Sequence, residues 1–327
     1  MNGLFDTILV ATEGSENGDR AVAFAVELAR EHGGTLTIAH AVDASAVVVA
    51  SASEGGLNPQ AIVDELDDAA KQIVARASER AAAAGVSAAA CTPHGRPAEA
   101  VVAAAHERRA GTIVVGTQGK RGLQRMVLGS VAVEILRRSD IPVFVVPPNC
   151  DGTSAKIERI MVALDGSDTS DAALEFAMVL AAAEHATLVL CNAIDTRGVV
   201  GKSNIYGYDA LPVIQDMREA ANEMLARCGK AVAARGLAYE RTIVDGVAPH
   251  AIVSAAKDVR ADAIVIGTHG RTGLPRMFLG SVAEGVTREA TVPVAVVRTV
   301  RVHDERPAVE NEGALERAFA RDPLSAY

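Results

Sequence analysis

The 327-residue chain contains no tryptophan, few other aromatic residues and no excess of positive charge. Aromatic residues make up only 3% of the chain, so its cores must be built from aliphatic side chains, for which a hydrophobic content of 49% is ample. The formal net charge is −9. A nucleic-acid-binding protein normally carries a basic excess, because neutralising phosphates supplies most of its affinity. We therefore expect no nucleic-acid partner.

The sequence also lacks the signals of membrane insertion, export and disulfide bonding. No apolar run approaches the roughly 20 residues that span a bilayer, and the first residues, MNGLFD, show no basic start or apolar stretch of a signal peptide. Scattered cysteines without a CxxC pair favour a reducing cytosol and a structural role. We expect a cytoplasmic protein with no membrane partner, whose thiols are Cys91, Cys150, Cys191 and Cys228.

An internal repeat organises the chain. A shift of 151 residues places residues 110–146 on 261–297, and 20 of these 37 positions are identical. The centre of the match is GTQGKRGLQRMVLGSVA against GTHGRTGLPRMFLGSVA. Such self-similarity indicates a duplicated unit. We predict one domain over residues 1–148, a second over 157–300, a short polar linker between them, and a charged, disordered tail over 301–327.

Each copy alternates short apolar runs with helical patterns, which is typical of an α/β fold with a parallel sheet covered on both faces. The predicted strands of the first copy are 7–11, 35–41, 87–92, 112–115 and 142–146, and its predicted helices are 19–30, 60–84, 98–108 and 131–138. The second copy repeats the order with strands at 160–164, 187–193, 239–244, 263–266 and 293–297. We predict two tandem doubly wound five-stranded parallel sheets of strand order 3-2-1-4-5.

Ligands of such sheets bind beyond the carboxyl ends of the strands, where the strand order reverses. Here that point lies between strands 1 and 4. The spacing G-x2-G-x9-G-S follows strand 4 in both copies. Glycines with positive φ would let the backbone approach an oxyanion, and Gly-Ser would place N–H groups and a hydroxyl at a helix N-terminus, which favours anions. The motif residues are Gly116, Gly119, Gly129 and Ser130 in the first copy and Gly267, Gly270, Gly280 and Ser281 in the second.

Local cations accompany this motif in an otherwise acidic protein, which suits phosphate. They are Lys120, Arg121 and Arg125 in the first copy and Arg271 and Arg276 in the second. The alternative interpretation is a purely structural role, in which the glycines form a turn after the strand and the serine caps the next helix. The two functions are compatible for Ser130 and Ser281.

After strand 1, the copies read Glu13-Gly14-Ser15 and Asp165-Gly166-Ser167. A carboxylate there could accept a hydrogen bond from ribose hydroxyls or help to hold a metal on phosphates; the alternative is a turn or N-cap residue. His40 fits a packed strand residue, and His269 is replaced by Gln118 in the first copy, which argues against a general base. No Walker, Rossmann or nucleophile-elbow motif and no metal-ligand cluster occurs. We therefore assign no catalytic residue and no metal ligand.

With these residues in view, the chain resembles the universal stress protein family in its ATP-binding subclass, whose nucleotide motif G-x2-G-x9-G-[ST] stands intact twice. The resemblance implies that the acidic residue contacts ribose (Asp165, and Glu13 with one extra methylene), that the backbone at the end of strand 2 reads adenine (Ala41 and Ala193), and that the motif holds phosphates. It implies ATP, ADP or AMP as ligand, often with Mg²⁺. The phosphate set also includes Thr117, Gly119, Lys120, Arg121, Thr268 and Arg271.

The resemblance further implies pairing through the last strands, either within the chain as a pseudo-dimer or between chains as a homodimer. The leading functional hypothesis is a nucleotide-binding stress and signalling regulator that acts on a protein partner not identifiable from sequence. A slow Mg-dependent ATPase is the second hypothesis, at most a weak hydrolase. A nucleotide-free interaction scaffold is the third.

Overall fold

The computed structural model describes residues 3–45, 59–117, 128–150, 156–206, 209–270 and 279–298. The predicted tail lies outside this part, as does most of the predicted linker. The strands are β1 (Thr7–Ala11), β2 (Thr35–Ala39), β3 (Ala88–Cys91), β4 (Thr112–Gly116), β5 (Val143–Val146), β6 (Arg159–Ala163), β7 (Thr187–Ile194), β8 (Tyr239–Asp245), β9 (Ala263–Gly267) and β10 (Val294–Val297).

Helices follow the strands in the alternating order that the sequence predicts. They are α1 (Glu16–His32), α2 (Pro59–Ala83), α3 (Pro97–Glu107), α4 (Ser130–Arg138), α5 (Asp168–Glu184), α6 (Arg197–Tyr206), α7 (Ala210–Ala234), α8 (Ala248–Asp258) and α9 (Ser281–Glu289). Helix α6 has no counterpart among the predicted elements. In the described part of the chain, no helix is both long and apolar enough to cross a bilayer.

All ten strands form one sheet in the order β3-β2-β1-β4-β5-β10-β9-β6-β7-β8. Within each half the strands are parallel and follow the predicted order 3-2-1-4-5. The halves join where β5 pairs with β10 in antiparallel orientation, with Ala295 opposite Phe144. The last strands are therefore paired within the chain, as the pseudo-dimer interpretation expects.

Apolar side chains cover both faces of this sheet. One buried cluster joins α1, α2, α5 and α7 to the sheet, through residues such as Val22, Val74, Leu174 and Leu225. A second cluster on the opposite face joins α3, α4, α8 and α9. Strands buried on both faces require continuous apolar runs, and TILVA, VFVV and AIVIG provide them.

Helix ends are set by local chemistry that recurs in both halves. Ser15 and Ser167 cap α1 and α5, accepting bonds from the backbone N–H groups of Gly18 and Ser170. At the other end of α1, Gly33 adopts the left-handed conformation with φ 65°. These caps begin both helices directly after β1 and β6, so the chain reverses at the carboxyl edge of the sheet.

Candidate functional site

The loops after β1 and β6 form the first part of the candidate site. Gly14 and Gly166 have φ values of 73° and 79°, a conformation that side chains disfavour. This glycine turn lets the acidic residue before it and the capping serine after it face each other. The carboxylate and the helix N-terminus are therefore held together at the end of the strand.

Both acidic residues are bound to the serine two positions on. Asp165 Oδ1 accepts bonds from the Ser167 hydroxyl at 2.6 Å and from the Ser167 N–H at 3.1 Å. In the first half, the Ser15 hydroxyl donates to Glu13 Oε1. The longer Glu13 side chain thus makes the same hydroxyl contact as Asp165. These bonds support the alternative role of a turn-bracing residue.

The glycines that end β4 and β9 serve a different purpose from the predicted one. Gly116 and Gly267 are extended strand residues and do not belong to the positive-φ glycines. A β-carbon on Gly116 would lie 2.9 Å from Asn17 Nδ2, and one on Gly267 would lie 2.7 Å from the Thr169 carbonyl oxygen. The absent side chain therefore allows the first turn of α1 or α5 to pack against the neighbouring strand, and the predicted positive φ is wrong here.

The Gly-Ser pairs that open α4 and α9 also differ from expectation. Gly129 and Gly280 are the N-caps, and their N–H groups donate to the carbonyls of Thr117 at 2.7 Å and Thr268 at 2.8 Å. These two N–H groups are therefore already used within the protein. Ser130 is the first helical residue, as is Ser281 in the second half, so neither serine is the N-cap.

The next N–H groups of α4 and α9 remain suited to an anion. Within the described residues no side chain caps either helix, and the first-turn N–H groups of a helix have no partner in the helix itself. Ser130 and Ser281 are exposed at that position. The two N-termini differ in charge, since α4 has no acidic residue in its first turn and α9 has Glu284.

Two residues that the sequence reasoning missed tie the glycine loops to the first helix of each half. Asn17 Nδ2 donates to Thr117 Oγ1 at 3.2 Å in a buried contact. In the second half, the hydroxyl of the equivalent Thr169 donates to the His269 carbonyl. In the sequence, the only feature that indicated this role was their common position, two residues after the capping serine. Thr117 and Thr268 are both buried, so each glycine loop begins at a residue that is fixed inside the protein.

The ends of β2 and β7 are held against β1 and β6 by another equivalent pair. His40 Nδ1 lies 2.7 Å from the Thr12 carbonyl oxygen, and Asn192 Nδ2 lies 2.7 Å from that of Leu164. Because a carbonyl only accepts, His40 carries its proton on Nδ1 in this contact. His40 is thus a structural strand-end residue, as the sequence favoured.

Ala41 and Ala193, the positions that the resemblance assigns to adenine, come directly after this pair. The neighbouring His40 N–H donates to Cys91 on the β3 side, whereas the Ala39 carbonyl accepts from Thr12 on the β1 side. Because backbone groups alternate in direction along a strand, those of Ala41 face the β1 side, toward the loop that carries Glu13. Ala193 occupies the equivalent position in β7, and both residues are half-buried.

The second half brings the acidic loop and the glycine loop into contact. A β-carbon on Gly270 would lie 2.6 Å from Asp165 Oδ2. The remaining predicted residues of the phosphate loops fall outside the described residues, so their placement stays a prediction. They are Gly119, Lys120, Arg121 and Arg125 in the first half and Arg271 and Arg276 in the second.

A family model described as the universal stress protein family matches residues 4–147 and again 156–298. The chain belongs to the universal stress protein family. It is 36% identical over 148 residues to universal stress protein YxiE of Bacillus subtilis, a match that covers 44% of this chain and 99% of the relative. It is 31% identical over 188 residues to universal stress protein Rv2005c of Mycobacterium tuberculosis, which covers 57% of this chain and 61% of the relative.

The fold of this tandem universal stress protein is shared with a solved structure. A universal stress protein from Archaeoglobus fulgidus DSM 4304 superimposes with a TM-score of 0.64 at 21% identity, covering 90% of this chain and 98% of that one. At this identity the likeness concerns the fold alone. The duplication seen in the sequence therefore corresponds to two copies of one family domain.

The electrostatics of this universal stress protein near the site follow from burial and from neighbouring carboxylates. Burial raises the pKa of the Cys191 thiol to about 12. Burial, followed by the charges of Asp168 and Asp165, raises the pKa of Asp171. Within the described ranges, no group of three or more His, Cys, Asp or Glu side chains is arranged to hold a metal ion.

Proposed function

We propose that each half of the protein binds an adenine nucleotide, ATP, ADP or AMP, at the carboxyl edge of its sheet. The phosphates would lie against the first turns of α4 and α9, the ribose near Glu13 or Asp165, and the adenine near the backbone of Ala41 or Ala193. The observation that carries this proposal is duplication. In both halves an acidic strand-end loop, a strand-end glycine and a helix N-terminus that no described side chain caps recur on equivalent strands.

The chemistry of the described residues fits a nucleotide phosphate. Helix N-terminal N–H groups and the helix dipole favour an anion, and the exposed hydroxyls of Ser130 and Ser281 add a donor each. The first half has the more favourable helix charge, because Glu284 in α9 opposes an anion in the second half. The second half has the shorter acidic residue, Asp165. The two halves should therefore bind with different affinities.

Mg²⁺ in nucleotide sites is typically held by phosphate oxygens together with one or two carboxylates. Asp165 and Glu13 would be the carboxylates here. We propose that the bound nucleotide acts as a signal rather than as a substrate that turns over. Hydrolysis in both halves would require a general base at the same loop position, but the first half has the amide Gln118 where the second half has His269. In this account the ligand stabilises one arrangement of the protein, which a partner in a cytoplasmic stress response then recognises.

The experiment begins with protein purified without added nucleotide. The protein is denatured, and the released small molecules are identified by anion-exchange chromatography and mass spectrometry. Adenine nucleotide in amounts comparable with the chain, followed by a rise in Tm when ATP is added back to stripped protein, is the expected result. No released nucleotide and no Tm change with ATP, ADP or AMP would favour the scaffold hypothesis instead.

A further inference from the structure

The two halves meet along a pseudo-twofold axis, where equivalent residues face each other. Strands β5 and β10 pair in antiparallel register with Phe144 opposite Ala295. These two positions are equivalent in the repeat, 151 residues apart. Equivalent residues that contact each other must lie at the axis, so this pair marks where it crosses the sheet.

A second equivalent pair meets on the helical side of the same axis. His32 and Glu184 are the last residues of α1 and α5, equivalent at the 152-residue offset of the first helices. His32 Nε2 lies 2.8 Å from Glu184 Oε1, with only 11% and 6% of the two side chains exposed. Phe5 stacks on the His32 ring with centroids 4.5 Å apart. The pair is therefore buried between the halves.

The axis pair in the sheet is complementary in size. The Phe144 ring lies between Phe24, at a centroid distance of 5.3 Å, and Phe176, at 5.9 Å. Phe24 and Phe176 are themselves equivalent, so one aromatic ring from the axis fills the space between two symmetric ones. Ala295 is fully buried opposite it and leaves the room that this ring needs. Counting Phe5, all four phenylalanines in the part of the chain that the structure describes lie in this cluster.

Pairing of two identical halves would remove the fit in size between Phe144 and Ala295 and the hydrogen bond between His32 and Glu184. Two first halves would place phenylalanine against phenylalanine and histidine against histidine. Two second halves would place alanine against alanine, leaving a void, and glutamate against glutamate in a buried setting. Overpacking, cavities and unpaired buried charges are each destabilising. The duplicated positions have thus diverged in size at one pair, and into a histidine that hydrogen-bonds a glutamate at the other.

We propose that this axis surface, formed by Phe144, Ala295, His32 and Glu184, selects its partner: it accepts the opposite half of the tandem and rejects a second copy of the same half. The charge around the pair reinforces the choice. Burial, and next the charge of Glu184, raise the pKa of Glu31, whereas His32 and then Arg30 lower it. A glutamate in place of His32 would therefore add a third carboxylate to this group.

The test is a pair of reversal cycles in the full-length chain. The charge cycle compares His32→Glu, Glu184→His and the double variant, with His32→Gln as a neutral control. The size cycle compares Phe144→Ala, Ala295→Phe and the double variant. Each single change should lower Tm by on the order of 5 °C. Each double variant should recover at least half of that loss, because it restores a complementary pair in the reversed orientation.

The result that overturns the proposal is additivity. If His32→Glu is no less stable than His32→Gln, and if the losses of the single variants simply add in both doubles, the axis pairs do not discriminate between partners. A single variant that does not fold counts as the largest loss, and the corresponding double variant then decides by folding or failing to fold. The two cycles change different contacts, so each one tests its own residue pair independently of the other.

Discussion

Gly270 faces the carboxylate of Asp165 so closely that a methyl group on it would lie 2.6 Å from Oδ2. The carboxylate cannot turn away without cost, since its other oxygen accepts two bonds from Ser167. Two loops that are about a hundred residues apart in the chain are therefore fitted to each other at this point. The absence of a side chain at Gly270 is what allows the chain after β9 to approach the acidic loop so closely.

Replacement of Gly270 by alanine should destabilise the protein by about 1 kcal/mol, because the added methyl group displaces the Asp165 carboxylate. In an Asp165→Ala background, the same replacement should have an effect close to zero, since the clashing atom is gone. Urea unfolding of the four proteins of this cycle measures the coupling. An equal loss in both backgrounds would mean that Gly270 is required for another reason.

A left-handed residue at the end of α5 should limit stability. His185 has φ 55° at the position where the first half has Gly33 with φ 65°. Side chains disfavour this conformation, so His185→Gly should raise the free energy of unfolding by about 1 kcal/mol. The matched control is Gly33→Ala, whose new methyl group meets no atom within 4 Å.

Gly33→Ala should therefore lose about the same amount through backbone strain alone. Chemical denaturation of the two variants and the parent protein gives both values. A neutral or destabilising effect of His185→Gly would show that the histidine side chain makes compensating interactions at that helix end.

The sequence predicted the strand order within each half and all ten strands of the described sheet, because buried parallel strands are continuous apolar runs and because each run occurs twice. Helix α6 was missed for a clear reason. Its sequence, RGVVGKSNIY, contains two glycines and no apolar stripe, and Val200 and Ile205 are exposed. The helix begins instead through a local contact, in which Asp195 accepts bonds from the backbone and the side chain of Arg197.

At the candidate site, the sequence placed the acidic loop and the start of the glycine motif at the same edge of the sheet, but it did not show what each residue does. The spacing of Gly116 and Gly267 suggested positive φ, whereas the structure uses them for close packing against α1 and α5. Positive φ instead belongs to Gly14 and Gly166. Such roles depend on contacts across the sheet, which a linear pattern does not contain. The strongest indication of a functional site in the sequence was that the same motif occurs in both halves.

The buried thiol beside the second candidate site gives a pH prediction. Burial raises the pKa of Cys191 to about 12, well above the value of about 8.5 of an exposed thiol. Its contribution to stability is fully present below about pH 8.5 and is lost as the pH rises toward 12, because only the unfolded thiol ionises readily there. Stability should therefore fall between these values.

Urea unfolding from pH 8 to 10.5 in the presence of a reductant measures this fall, with Cys191→Ala as the matched control. The decline with pH should be shallower in the alanine variant, since tyrosine and lysine contributions are common to both proteins. Alkylation at pH 8, read by peptide mass spectrometry, should leave Cys191 unmodified until urea is added. Identical pH slopes or rapid labelling of the folded protein would contradict the assignment.

If the first turns of α4 and α9 each receive a nucleotide phosphate, calorimetric titration of stripped protein with ATP should detect one site in each half. Ser130→Asp and Ser281→Asp place a negative charge at those helix N-termini, which favours the helix but repels an anion. Ala248→Asp introduces the same charge at the first residue of α8. Two ATP molecules per chain are expected for the parent protein and for Ala248→Asp, one for each serine variant and none for the double serine variant, with no loss of Tm in the serine variants. Full binding in the double serine variant would contradict this placement of the phosphates.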